Sequence, residues 1–340
     1  MEEEPGMTEP QPDRNAPRSS GLFRTPRVEE ERDDRNRIKN LPEEIVFKRN
    51  ARILITEMLE LNNRTQQDTS MLVEEILHSV FFLGQIYSPS FSPRSLLDDD
   101  MFDALEKEYP QPFQLYSTRL PRRSPFSCLL EMVVCFYGQE NEDQIRNKLK
   151  DVVHQMKEGS SSQILFSSTI CISHTHNSCR YYGVSMSTRG RSAGEILVAA
   201  SCFSNWHRSV SDAVMTYYPD KQKKSYFSRN MQLPPDVKCE VFNISEGRPM
   251  DLCRSCSDLF GLDTTVKKRW GYGHCAEAES LSNLFKGEPR VIEQLKPEVN
   301  ANKGNRMKAK MRVLNHLKQQ LKKFDTFKWD GKFYPNPNPK

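Results

Sequence analysis

Short β-branched runs that alternate with helical stretches, beginning near Ser162, constrain the fold of this chain more than any other feature. Two of these runs, SQILFSSTICISH and CRYYGVSMST, are separated only by the polar tetrapeptide THNS, which is the pattern of a β-hairpin. Two helical stretches (AGEILVAASCF and SVSDAVMTYY), a third strand (VKCEVFNIS) and two further helix starts follow. Residues 161–295 are therefore predicted to form an α/β (α+β) domain, a small mixed sheet flanked by helices.

The region before the sheet, residues 41–160, is predicted to be helical. Apolar residues at helical spacing indicate one helix that begins near Leu41 and breaks at Asn62, and a second that follows an Asp68-Thr69-Ser70 cap. Together they resemble a helical hairpin, and we expect this hairpin to be a surface for a protein partner.

The rest of this region gives weaker signals. Residues 87–126 contain several prolines and are predicted to be a long irregular connection. Residues 127–136 are continuously apolar, and periodicity does not decide between a buried helix and a strand. Residues 141–157 are predicted to form an amphipathic helix.

The two ends of the chain differ in charge. Residues 1–40 are acidic and Pro-rich and are predicted to be a disordered tail. Residues 296–340 carry twelve Lys and Arg against three Asp and Glu, and are predicted to form a basic amphipathic helix and a tail. The apolar stripe of this predicted helix consists of Met307, Met311, Leu314, Leu317, Leu321 and Phe324. The basic residues around the stripe are Lys308, Lys310, Arg312, Lys318, Lys322 and Lys323.

This basic helix is the candidate contact with a nucleic acid. Its six basic side chains are placed to contact the phosphates of RNA or DNA. The alternative is a helix docked on the protein whose lysines are only solvated.

Composition narrows the compartment and the class of protein. The sequence has no apolar run long enough to cross a membrane, and its first residues do not form a signal peptide, so we expect a cytoplasmic or nuclear protein. Its nine cysteines should then stay reduced, as buried thiols or as metal ligands. The sequence lacks a Walker loop, a dinucleotide fingerprint and a Gly-x-Ser-x-Gly elbow, which argues against an ATPase, a dehydrogenase or a serine hydrolase.

The strongest candidate site combines Cys253-x-x-Cys256 with His274-Cys275-Ala276-Glu277, which begins eighteen positions after Cys256. On the first turn of a helix, thiols at i and i+3 face the same way, and the helix N-terminus favours their thiolate forms. A third ligand from the next helix start, Cys275 or alternatively His274, would complete a zinc site with a fourth position open for water. Glu277 would then stand beside that water as a proton shuttle.

These motifs resemble the two zinc motifs of the cytidine deaminase superfamily. HCAEAESLSNLF is similar to the His/Cys-x-Glu motif that opens one helix of that family. VKCEVFNIS–GRPMDLCRSCSDLF is similar to the strand and Pro-Cys-x-x-Cys helix of the other. The resemblance covers about fifty residues and implies a zinc-dependent hydrolase that deaminates a nucleobase or nucleoside, free or in a nucleic acid. The order of the two motifs is reversed relative to the family, and Pro249 lies four positions before Cys253.

Several alternatives remain open at the level of sequence. The cysteines can form a closed structural zinc site, with His274 or Cys239 as the fourth ligand, or they can be buried thiols without a metal. The protein is then a non-enzymatic interaction or nucleic-acid-binding protein. If the helix containing Glu195 is instead the family's first motif helix, its ligand position holds Ala193 and the deaminase-like fold is inactive.

A second cluster of metal-ligand residue types lies in the predicted hairpin. Its members are Cys171, His174, His176 and Cys179. On a strand the two histidines would project from one face. The alternative, which we favour, is an exposed polar turn.

Overall fold

The computed structural model describes residues 41–228, 230–295 and 302–335. The predicted disordered tail, residues 1–40, lies outside these ranges, as do the start and end of the basic C-terminal segment. Within the described ranges, no helix combines the length and apolar character that a membrane-spanning segment needs.

Within residues 41–160, seven helices precede the sheet. They are α1 (Glu43–Arg64), α2 (Ser70–Gln85), α3 (Pro93–Leu96), α4 (Asp99–Glu108), α5 (Pro110–Leu115), α6 (Pro125–Tyr137) and α7 (Glu142–Lys157). The α1–α2 hairpin forms as the sequence predicts, and the ambiguous apolar run is the helix α6. This helix is buried because it packs against α1, α2 and α7 and also reaches the sheet.

The segment 87–126 differs from the prediction of an irregular connection, because it contains α3, α4 and α5. Prolines stand at the start of two of these helices, where the missing N–H costs nothing and the fixed φ suits a helix. The third is capped by Asp98, whose side chain accepts a hydrogen bond of 2.9 Å from the backbone N–H of Met101. The prolines therefore begin helices here instead of breaking them.

The sheet has four strands in the order β2-β1-β3-β4. The strands are β1 (Thr169–His174), β2 (Tyr181–Val184), β3 (Lys238–Asn243) and β4 (Pro249–Met250). The hairpin of β1 and β2 and the strand β3 follow the sequence prediction, and the α/β fold class is confirmed. The sheet was expected to be mixed, but all three of its pairings are antiparallel.

The other helices of the described residues follow β2 or β4 along the chain. They are α8 (Arg191–Ser204), α9 (Arg208–Tyr217), α10 (Arg254–Phe260), α11 (Ala276–Gly287), α12 (Pro289–Gln294) and α13 (Lys303–Leu321). Helix α11 lies across β2 and β1. It can approach β2 closely because residue 183 is glycine: a Cβ there would lie 2.2 Å from the backbone nitrogen of Ser280.

The basic helix α13 is docked on the protein, against α8 and α9. Its buried side consists of residues spaced four apart, Ala309, Val313, Leu317 and Leu321. Met307 and Met311, which were expected in the apolar stripe, are 55% and 47% exposed. The predicted stripe was wrong at Met307 and Met311, because α13 packs against its neighbours through the small residues Ala309 and Val313 instead.

Candidate metal centre

Three cysteine thiols meet where two helices begin. Cys253 is the N-cap of α10, Cys256 lies on the first turn of the same helix, and Cys275 is the N-cap of α11. The sulfur of Cys253 lies 3.6 Å from that of Cys256 and 3.4 Å from that of Cys275, and all three lie within 4.8 Å of one another. The group could hold a metal ion. Its members are the three cysteines that the sequence motifs indicate as ligands.

Electrostatics within the group favour one thiolate. Hydrogen bonds from the thiols of Cys256 and Cys275 lower the pKa of Cys253. The hydrogen bonds to Cys253 raise the pKa of the other two thiols. A divalent cation would be needed to favour ionisation of all three at once.

Glu277 lies on the first turn of α11, two residues after Cys275. Its side chain is almost fully buried, with 3% of its surface exposed. Burial raises the pKa of Glu277 to about 7. A carboxyl group with such a pKa exchanges protons readily near neutral pH.

A cavity of about 760 Å³ opens onto this group. Cys253, Cys275 and Glu277 all line it, whereas Cys256 lies behind them. This volume is within the range of roughly 300–1,000 Å³ that is typical of small-molecule sites. The other walls include aromatic side chains (Tyr218, Trp270, Tyr272) and charged ones (Arg191, Glu195, Asp220, Lys221, Asp251, Arg269).

The segment between the two motif helices, residues 261–274, forms one edge of the cavity. It leaves α10 at Gly261, whose φ of 70° is in the left-handed region that glycine tolerates. The segment contains no helix or strand, and hydrogen bonds hold it to α10. The hydroxyl of Ser255 donates to the carbonyl of Trp270 (2.7 Å) and accepts from its N–H (3.0 Å).

His274, the alternative ligand, is not part of the thiol group. Its backbone carbonyl accepts a hydrogen bond of 2.8 Å from Met186, which joins the start of α11 to the end of the hairpin. Its ring packs beside Gly194 and Gly271, where an added Cβ would lie 3.0 Å and 2.6 Å from ring atoms. Burial lowers the pKa of His274, which favours the neutral ring, and the residue also lines the cavity.

Glu279 anchors α11, and sequence reasoning missed it. One carboxylate oxygen accepts a hydrogen bond of 2.8 Å from the backbone N–H of Val184 in β2, and the other accepts from the hydroxyl of Ser127 in α6. Both partners are far away in the chain. The only local signal was an acid two positions after Glu277, on another face of the helix.

The chain matches no family model, no curated protein and no solved structure. The geometry of the site therefore carries the functional argument.

The other predicted ligands do not join a metal site. Among residues 41–228, 230–295 and 302–335, the three thiols are the one group that has ligand atoms close enough to share an ion. The sulfur of Cys239 lies 3.4 Å from the hydroxyl of Ser173, and His174 faces Glu240 at 3.3 Å. Cys179 is an exposed free thiol, as expected of the turn of a hairpin.

Four of the six basic residues proposed to bind nucleic acid lie in α13, Lys322 is its C-cap, and Lys323 follows the cap. Lys308, Lys318 and Lys322 are exposed. Arg312 forms an ion pair with Asp220 at 2.7 Å, and Lys323 bonds to the hydroxyl of Ser192 at 3.1 Å; Lys310 is half-buried. Some of the positive charge of this helix therefore holds it against its neighbours.

Proposed function

We propose that this protein is a zinc-dependent deaminase that hydrolyses the exocyclic amino group of a nucleobase. The observation that carries the proposal is the group of three thiols, two of which, Cys253 and Cys275, line the same cavity as the Glu277 carboxyl. A ligand group, a proton carrier and room for a base are the parts that this hydrolysis requires.

The three thiols fit zinc. With Zn–S bonds of about 2.3 Å and tetrahedral angles, sulfur atoms lie about 3.8 Å apart. The distances of 3.4 and 3.6 Å between the sulfur of Cys253 and its two neighbours are close to this value. Thiolate ligands select zinc over magnesium or calcium. Because the cavity opens onto Cys253 and Cys275, a fourth ligand position would face the substrate.

The residues have distinct roles in this proposal. Cys253, Cys256 and Cys275 would hold the metal, and zinc bound there would supply Lewis-acid activation of the attacking water. Glu277 carries one proton of that water to the ring nitrogen beside the amidine carbon and the other to the leaving nitrogen. The water oxygen bonds to the amidine carbon of the base, the carbon–nitrogen bond breaks, and ammonia leaves.

The packing of the motif helices also supports the resemblance to the cytidine deaminase superfamily. The family's order leads from a hairpin into the His/Cys-x-Glu helix, and here α11 lies across the β1–β2 hairpin. The strand β3 precedes the Cys-x-x-Cys helix α10, with β4 between them. Along the chain the hairpin leads into α8, and the two motifs are reversed relative to the family.

We further propose that the protein works in the cytoplasm or the nucleus. All nine cysteines are free thiols. A thiolate site needs a reducing compartment to stay available for metal.

Metal analysis and one conservative substitution test this function. The purified protein should contain about one zinc per chain, and Cys253→Ser should lose it. Glu277→Gln should keep the zinc and the fold but release no ammonia from cytosine- or adenine-containing nucleosides and oligonucleotides. The matched control is Glu293→Gln, at an exposed glutamate of α12, which should behave as the wild type does.

Two results would contradict the proposal. Absence of zinc from the wild-type protein removes its basis. Bound zinc in a protein that deaminates none of these substrates, and in which Cys253→Ser lowers the stability of the fold, would instead establish a structural zinc site in a non-enzymatic protein.

A further inference from the structure

The rim of the cavity carries an exposed aromatic ring. Trp270 is 55% exposed, and it is the one aromatic among the large, exposed apolar side chains of the described residues. Met250, which is 38% exposed, lies on the same cavity. Exposed apolar side chains gathered at the mouth of a cavity are typical of a binding surface.

The backbone that presents this ring is held in place. The Ser255 hydroxyl bonds both backbone polar groups of Trp270, and the N–H of Arg254 donates to the carbonyl of Lys268 at 3.0 Å. Asp258 accepts from Arg269 at 3.1 Å and from the hydroxyl of Tyr272 at 3.0 Å. The ring therefore projects from a fixed backbone, so little ordering entropy is lost when a ligand stacks on it.

The charge around the ring is positive. Residues 264–273 contain Lys267, Lys268 and Arg269 and no acidic residue. The ammonium group of Lys268 lies over one face of the Trp270 ring, 3.9 Å from its centre, so a base would stack on the opposite face. A flat π-face flanked by positive charges is complementary to a base with phosphates on either side.

We propose that residues 267–270 are a platform for single-stranded nucleic acid, which brings one base into the adjacent cavity. This inference rests on the proposed function and names its substrate class as a polynucleotide. A base next to the target stacks on Trp270, while Lys267 and Lys268 meet the flanking phosphates. A duplex would not stack on the platform, because the faces of its bases are covered by their neighbours.

The platform is better placed for this task than α13. Trp270 and Arg269 line the same cavity as Cys253, Cys275 and Glu277. The exposed apolar side chains of α13 are methionines, which offer no aromatic face.

Binding of short labelled oligonucleotides tests the inference. Fluorescence anisotropy is measured with single-stranded DNA, single-stranded RNA and duplex DNA of one sequence, using the zinc-loaded Glu277→Gln chain so that no base is converted. Trp270→Ala should weaken binding of the single strands about tenfold, and Trp270→Phe should restore most of the affinity. Lys267→Ala with Lys268→Ala should reduce the salt dependence of binding by about 0.7 per lost phosphate contact. The DNA and RNA arms identify the polymer.

The matched control changes two exposed lysines of α13, Lys308→Ala with Lys318→Ala, and should leave the affinity within about twofold of that of the unaltered chain. Retained zinc and an unchanged thermal transition would show that Trp270→Ala is folded. We expect this result because the hydrogen bonds to Ser255 use only the backbone of residue 270. Three results would each overturn the inference. They are undiminished binding by Trp270→Ala, equal affinity for duplex and single strand, and a loss of affinity confined to the α13 variant.

Zinc content and ammonia release from the wild-type chain separate this inference from the proposed function. Deamination of nucleosides by a chain whose binding of single strands does not depend on Trp270 would sustain the function and overturn the platform. Binding that depends on Trp270, in a chain without zinc or deamination, would sustain the platform and overturn the function.

Discussion

Gly183→Ala should loosen the metal centre without changing any ligand. Residue 183 lies in β2 directly below α11, and an added Cβ would lie 2.2 Å from the nitrogen of Ser280, 2.6 Å from the oxygen of Ala276 and 2.8 Å from the carbonyl carbon of Glu279. All three are backbone atoms of the helix, so a side-chain rotation cannot relieve the overlap.

The size of the effect follows from these distances. Ordinary van der Waals contact begins at 3.4 Å, so the start of α11 must move away from β2 by about 1 Å. Overpacking of this kind costs about 1–3 kcal/mol of the free energy of unfolding. Cys275 moves with the helix, and metal–ligand distances tolerate only about 0.2 Å. Zinc affinity should therefore fall by tenfold or more, roughly.

Competition with a chromogenic chelator measures the zinc affinity, and urea unfolding measures the stability. The control is Gly304→Ala in α13, where an added Cβ meets only a side-chain atom of Asn302 at 3.4 Å. That variant should keep its zinc and gain up to about 1 kcal/mol from better helix propensity. Wild-type zinc affinity and an unchanged urea midpoint in Gly183→Ala would show that α11 does not need this close approach.

Three further predictions address stability. Glu279→Ala should lower the free energy of unfolding by about 1–3 kcal/mol in urea denaturation, because two buried donors lose their acceptor. An equal loss in Glu279→Gln would show that the lost acceptor is not the cause. Burial lowers the pKa of His78 from 6.5 to about 3. Between pH 7 and pH 5 the unfolded state therefore binds more protons than the folded state does. Stability should fall by about 2 kcal/mol between pH 7 and pH 5, and urea titrations of His78→Phe should lack this component. A strong chelator should lower the melting temperature of the wild type but not of Cys256→Ser, as scanning calorimetry can check.

Local sequence pattern was sufficient for most of the second half of the chain. The hairpin, β3 and the starts of α10 and α11 follow from β-branched runs, a polar turn and helix-start residues. Cys253 and Cys256 were identified as a pair from spacing alone, because an i, i+3 pair on one helix turn has a fixed geometry. The third ligand was left open between Cys275 and His274, and the pattern did not predict that the cavity opens onto only two of the thiols.

The missed features depend on distant residues. Glu279 is fixed by Ser127 and Val184, neither of which is near it in the chain. The buried side of α13 is set by α8 and α9, so large apolar residues such as Met307 proved a poor guide to it. The prolines of residues 87–126 have two readings, helix breaker or first helical residue, and only tertiary packing decides between them.

The three thiols lie within one stretch of twenty-three residues, 253–275, whereas the cavity also needs the sheet and α8. Closing a loop of this length costs little entropy, so a denatured or newly synthesised chain can already chelate a thiol-seeking metal. Metal that binds the unfolded chain as well contributes less to the folding equilibrium than its affinity for the native protein suggests. Zinc content therefore reports on the thiols, while the protection of Glu277 from solvent reports on the assembled pocket.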